Sequence, residues 1–350
     1  MTIRRSSSLL LGAALLAGCA DTNAPLPEPQ EVLLAVNSTA NTLSIVPVDA
    51  PAAAVQVQLG GTTPTPVGVS ARGAIAIVPL GLDNAVAVVD LRAASVLRRV
   101  PLPANSGATG SAVIDDSIAY VANPNLNTVS RVNYLTGTTA EVAVGRYPQG
   151  VIFTRGKVFV LNGNLDETFA PAGPSWISVI DPATNALADG GDSIPLTGPG
   201  NAGFGTVGVD GLMYVMSTGS YTEGEGRLAI VDPVARAEMA SFSGLGTGPG
   251  SVAADGDAKV YVSSFAEGLM VFDTDSNEVV RGAGNGLPIP SNSAVAVDSR
   301  NRVYAIESGP CQGGKPGKAH VLAAADLTEQ GTITLGECPS GAAVVQIPPE

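Results

Sequence analysis

The chain has 350 residues, of which 45% are hydrophobic, 14% charged and 4% aromatic, with 42 Gly, 26 Pro and a net charge of −13. The acidity, with no Lys/Arg cluster beyond pairs such as Arg98-Arg99, argues against nucleic acid and anionic lipid surfaces as partners. Apolar residues come in short runs broken by Gly, Pro, Asn and Asp, the pattern of a turn-rich β protein. Beyond one short N-terminal run, nothing nears the roughly 18 apolar residues of a membrane span.

That N-terminal run is an export signal. Arg4 and Arg5 form a positive region and Leu9 to Leu16 an apolar one too short to cross a bilayer. It ends Leu16-Ala17-Gly18-Cys19, which resembles a bacterial lipobox. The resemblance implies a signal peptide over 1–18, cleavage before Cys19 and diacylglycerol on its sulfur. Residues 19–30 are polar and Pro-rich (Pro25, Pro27, Pro29) and read as a semi-extended tether. Residues 31–350 are the folded domain. Cys311 and Cys338 are the other two cysteines. An exported chain lies in a disulfide-permissive compartment, so one lipidated thiol and one pair leave none over.

The domain is a repeat. An apolar strand recurs as Val32–Asn37, Ile75–Val78, Ile118–Asn123, Val158–Asn162, Met213–Ser217, Val260–Ser264 and Val303–Glu307. Its aligned positions Leu34, Ala76, Tyr120, Phe159, Tyr214, Tyr261 and Tyr304 recur on average every 45 residues, the length of one propeller blade. A second strand ends in Asp90, Asp181, Asp232 and Asp273, with Asn133 as a variant, residues whose side chains bond to backbone two positions on and start turns. The unit finishes with a short strand after Gly, as at Gly68, Gly150 and Gly250, where a missing Cβ permits close approach near a crowded axis.

Segments such as Tyr120-Val121-Ala122-Asn123 and Ile177-Ser178-Val179-Ile180-Asp181 resemble the YVTN-type β-propeller repeat family over nearly all of the expected domain. The expected fold is all-β, a seven-bladed β-propeller of four-stranded blades. The count starts at the second strand of a blade and ends on an innermost strand, Pro339–Gln346, so the closing blade is expected to combine three N-terminal strands with one C-terminal strand. Cys311 and Cys338 then fall on one face, where a disulfide would tie the last blade to the closing strand. The family covers extracytoplasmic and surface proteins of diverse roles.

Catalytic chemistry is sparse. His320 is the sole histidine, on an expected strand, so a multi-histidine metal site is excluded and a Ser-His-Asp triad would have to be built on it alone. No cofactor is identified, and the remaining option is oxygen ligation of Ca²⁺. Asn37, Asn123, Asn162 and Glu307, with Pro79, Ser217 and Ser264, end the recurring strand and would ring one face. Sugar-lactonase propellers, a similar architecture, hold a divalent metal with such ligands. Three insertions share that face: 163–175 with Asp166, Glu167 and Phe169, 218–226 with Tyr221, Glu223 and Glu225, and 308–318 with Lys315 and Lys318. Insertions on one face of a repeat protein mark its binding face. The expected function is a lipid-anchored binding or scaffold module of the cell envelope, held to a membrane through its anchor and facing the periplasm or the exterior. Its partner would be an envelope protein or a small molecule, not nucleic acid. A Ca-dependent hydrolase or lactonase-like enzyme and a purely structural envelope protein are the alternatives.

Overall fold

A computed structural model describes residues 28–188 and 193–349; the expected signal peptide, Cys19 and most of the tether lie outside these residues. Seven antiparallel sheets form a ring, the seventh combining Pro339–Ile347 with Gln30–Asn37, Thr42–Pro47 and Val55–Gln58. This is the seven-bladed all-β propeller expected from the repeat, closed by three N-terminal strands and one C-terminal strand. Blade 1 starts at Ser70, blade 2 at Ser111, blade 3 at Pro148, blade 4 at Ala202, blade 5 at Pro249 and blade 6 at Asn292. Blade 3 carries an extra outer strand, Ser193–Pro195, beside its third strand.

The Gly-led segment that ends each sequence unit is the innermost strand of the following blade. Residues 66–69 are not part of that strand, which in blade 1 shortens to Ser70–Arg72.

The core is not one mass but seven slabs, one between each pair of neighbouring blades. Every blade therefore buries both sides. This is why the second strands read as continuous apolar runs and not as alternating ones. Alternation survives in direction: Val32, Leu34 and Val36 of the closing blade pack on blade 1, while Leu33 and Ala35 pack on blade 6. The aligned positions from Leu34 to Tyr304 are all buried. At the end of the third strands, Asp90, Asn133, Asp181, Asp232 and Asp273 each accept backbone N–H bonds from residues two or three positions on, closing the next turn as the sequence pattern requires.

Around the axis, hydrogen bonds cross from blade to blade. Ser38 of the closing blade donates to the Pro66 carbonyl. Ser70 meets Ser111 at 2.7 Å. Thr109 donates to the Gln149 carbonyl at 3.0 Å, and the Gln149 amide to Asn201 at 2.9 Å. Thr218 reaches the Pro249 carbonyl at 2.8 Å, the Val295 N–H the Ser251 hydroxyl at 3.4 Å, and Ser293 the Pro339 carbonyl at 2.7 Å. Each of the seven blade junctions thus carries a side-chain bond near the axis. The disulfide Cys311–Cys338, with Cα atoms 4.4 Å apart, fastens the blade 6 loop to the start of the closing strand. A loop of this size restricts the unfolded chain by about 3–4 kcal/mol.

Glycine makes this spacing possible. A Cβ on Gly341 would stand 2.3 Å from the Val67 carbonyl oxygen, and one on Gly110 2.2 Å from that of Gln149. Gly250 is different: its nearest neighbour, the Ser263 hydroxyl, would be 3.4 Å away. Gly341→Ala is therefore expected to cost about 1–3 kcal/mol by forcing two blades apart, and Gly250→Ala to be nearly neutral. Denaturant unfolding of the two variants tests this; equal stabilities would contradict the close-approach account.

Candidate functional site

Strand direction alternates within a blade, so the turns after second strands and the connections between blades share one face, here the upper. Gln30 and Ile347, paired at the foot of the closing blade, lie on the lower face. All three insertions follow second strands, ending at the third strands that begin with Trp176, Arg227 and Pro316, so all three lie on the upper face. The axial channel opens there. It has a volume of about 250 Å³ and neutral walls of inner-strand glycine, Thr109, Ser111, Gln149 and Phe204.

Asn37, Asn123 and Asn162 do not present their amides to the channel. All three are fully buried and spend their Nδ2 groups within their own blades. Asn37 donates to Thr42 and Ser44, both at 2.9 Å, and accepts the Gly336 N–H from blade 6 at 2.9 Å. Asn123 donates to Thr128, Ser130 and Glu141, and Asn162 to Trp176 O and Ser178. These amides knit the second strand to the third at the upper edge. Glu307 occupies the same position in blade 6. It accepts from His320 Nε2 at 2.9 Å and pairs with Lys318 at 3.2 Å, while His320 Nδ1 faces Glu329 at 3.0 Å. Burial raises the Glu307 pKa, but the His320 and Lys318 bonds outweigh it and hold the carboxyl below its ordinary value. His320 is buried and packed into a blade. Among the described residues no three His, Cys, Asp or Glu side chains gather as a metal site requires.

The insertion residues behave differently. Asp166 accepts from the Thr168 hydroxyl at 2.7 Å and from the Thr168 and Ala170 N–H groups, which lowers its pKa. Glu225 does the same for Ser220, by hydroxyl and N–H, at 2.6 and 2.7 Å, and its pKa is also lowered. Each acid stiffens its own loop. Glu167 and Glu223 stand exposed at the loop tips.

The structure packs Phe169 of the blade 3 insertion against Tyr147, an aromatic residue not expected from the sequence, and places Tyr221 in the insertion of the neighbouring blade 4. Tyr147, in the connection before blade 3, packs edge-on against Phe169 with ring centroids 5.8 Å apart, and its hydroxyl lies within electrostatic reach of Tyr221. All three have left-handed backbones, with φ of 52°, 62° and 63° for Tyr147, Phe169 and Tyr221. Elsewhere among the described residues Gly and Asn fill most such positions, with Ala94, Arg155, Arg236, Ser291, Leu327 and the two disulfide cysteines as the others. A bulky side chain there costs roughly 1–2 kcal/mol, and such strain gathers at functional sites. Phe169 and Tyr221 are nevertheless 62% and 65% exposed, so ring burial does not offset the cost. The sequence signal was an aromatic residue standing where a tight loop ordinarily takes Gly or Asn.

The lower face holds tyrosine–aspartate pairs that the repeat also concealed, with Asp255 and Asp298 buried and Asp210 exposed. Tyr214, Tyr261 and Tyr304 donate to Asp210, Asp255 and Asp298 at 2.7, 3.1 and 2.9 Å, and burial together with the carboxylate raises each tyrosine pKa.

These features define a class: a rigid ring with a strained aromatic and acidic patch on one face. No protein-family model matches the chain, and no curated protein matches its sequence. Among solved structures it is similar to hydrazine synthase of Kuenenia stuttgartiensis, with a TM-score of 0.62 and 15% identity over 81% of this chain and 91% of that one. At this identity the likeness is one of fold.

The shifts fix the pH behaviour. Asp166, Asp181, Glu225, Asp273 and Glu307 all have depressed folded-state pKa values. Their stabilisation is complete above the ordinary carboxylate range and is lost as pH falls through the folded values. The raised tyrosines act at the other end: their contribution is complete below pH 10 and declines as pH rises above it. Thermal midpoints are expected to be level from about pH 5 to 9 and to fall below about pH 4 and above about pH 10. A midpoint that climbs on acidification below pH 4 would contradict these assignments.

Proposed function

We propose that the protein is an exported, lipid-anchored binding or scaffold module of the cell envelope that offers its upper face to a partner. In this reading residues 1–18 are the signal peptide, 19–30 the tether carrying diacylglycerol on Cys19, and 31–350 a propeller of the YVTN repeat type. One observation carries it: the chain enters the ring at Gln30 on the lower face, while the insertions and the strained aromatics stand on the upper face. A tether at the foot points that patch away from the membrane. The Cys311–Cys338 disulfide suits an oxidising compartment outside the cytoplasm. Among the described residues no helix is long and apolar enough to cross a membrane.

Two experiments test this. Cys19→Ala is expected to move the protein from the membrane to the soluble fraction of a bacterial host; continued sedimentation with membranes refutes the anchor. A photo-cross-linking residue at Glu223, on the upper face, is expected to give discrete adducts in intact envelopes. The same residue at Val234, exposed in a lower-face turn of blade 4, is expected to give none. The reverse pattern refutes the upper-face assignment.

A further inference from the structure

We propose that Tyr147, Phe169 and Tyr221 form a recognition site for cationic side chains, and that the partner docks through an extended segment bearing arginine or lysine. The proposal rests on the upper-face reading and names the chemistry of its partner.

The aromatic rings come first. Among the described residues the exposed large aromatic side chains are Phe169, Phe204, Tyr221 and Phe265. Phe169 and Tyr221 lie in upper-face loops of blades 3 and 4, Phe265 in the upper turn of blade 5, and Phe204 at the channel wall. The perpendicular packing of Tyr147 and Phe169, with planes 74° apart, sets two π faces at right angles. Electron-rich faces attract guanidinium and ammonium groups.

Charge comes second. The two loops, 163–175 and 218–226, contain Asp166, Glu167, Glu223 and Glu225 and no Lys or Arg. Arg146 lies near Asp166, and Arg227 spends its guanidinium on the Gly224 and Gly226 carbonyls. An anionic ligand would be repelled here, whereas a cationic segment meets rings and carboxylates side by side.

The third argument is preorganisation. The Asn127 side chain accepts the Tyr147 N–H at 2.9 Å, and Gly163 donates to the Tyr147 carbonyl at 2.9 Å. Phe169 N–H closes onto the Asp166 carbonyl at 3.0 Å. Tyr221 lies against Gly248, where a Cβ would come within 3.2 Å of the Tyr221 ring. The backbones that carry Tyr147 and Phe169 are held in place before any ligand arrives, so less ordering remains to be supplied on binding. Asn in place of these aromatics would relieve backbone strain, so their side chains are kept at the expense of stability, as expected of a binding residue.

The test uses the purified full chain and a fluorescein-labelled Gly-Arg-Gly-Arg-Gly-Arg peptide, with its Glu counterpart and maltohexaose as comparators. The Arg peptide is expected to bind and the other two not. Phe169→Asn combined with Tyr221→Asn leaves the net charge unchanged. It is expected to weaken the Arg peptide roughly tenfold or more with an equal or higher thermal midpoint. Glu167→Gln combined with Glu223→Gln is expected to weaken it several-fold and flatten its salt dependence. Undiminished binding by the aromatic variant would overturn the proposal, reducing the affinity to overall acidity; so would binding of maltohexaose in place of the peptide. Upper-face cross-links without any peptide binding would overturn the cation assignment and leave the upper-face reading standing. Aromatic-dependent peptide binding accompanied only by lower-face cross-links would overturn the upper-face reading alone.

Discussion

Ring closure is the constraint on which everything else depends. Each blade buries both of its sides against neighbours, so no blade has a core of its own. The ring is complete only when Pro339–Ile347 pairs with Gln30–Asn37 in the closing blade. The two ends of the described chain therefore meet in one sheet, and the disulfide reinforces that junction. The axial bonds and the glycine contacts follow from the same requirement, because seven sheets that converge on an axis leave no room there for side chains at every position.

A closed ring separates framework from function. The strands are fixed by packing on both sides, and what varies is what the turns carry. In this chain the variation is concentrated after the second strands of blades 3, 4 and 6. In blade 6 the disulfide and the bond from the Gly314 N–H to Glu337 tie the insertion to the ring. In blades 3 and 4 the loops are stiffened by their own acids and backbone bonds and display rings to solvent. The lower face shows the contrary use of polar groups, where Tyr214, Tyr261 and Tyr304 are matched with aspartates and withdrawn from water.

The fold was legible because its signals are local and repeated. The period of about 45 residues, the turn-starting Asp after third strands and the Gly before inner strands each have a single structural cause, and each recurs often enough to be read. The ring of Asn was legible as a position but not as an environment. Whether an amide at a strand end faces a channel or sinks onto its neighbour depends on the residue opposite, and Thr42, Ser44, Thr128, Ser130 and Ser178 decide it. Of the candidate face, Phe169 and Tyr221 were recognised from their loops, whereas Tyr147 joins only through its ring contact with Phe169. The strain at these three positions is invisible to composition and shows only in the backbone.

The closing blade has a mechanical consequence. A load that enters at Gln30 acts on a strand clasped on one side by Pro339–Ile347 and on the other by Thr42–Pro47. Pulled along its length, that strand strains both rows of hydrogen bonds in shear, all at once, instead of peeling them one at a time from an edge. Traction at the foot is thus borne by the whole ladder, and the blade that completes the circle is also the one built to resist being drawn out of it.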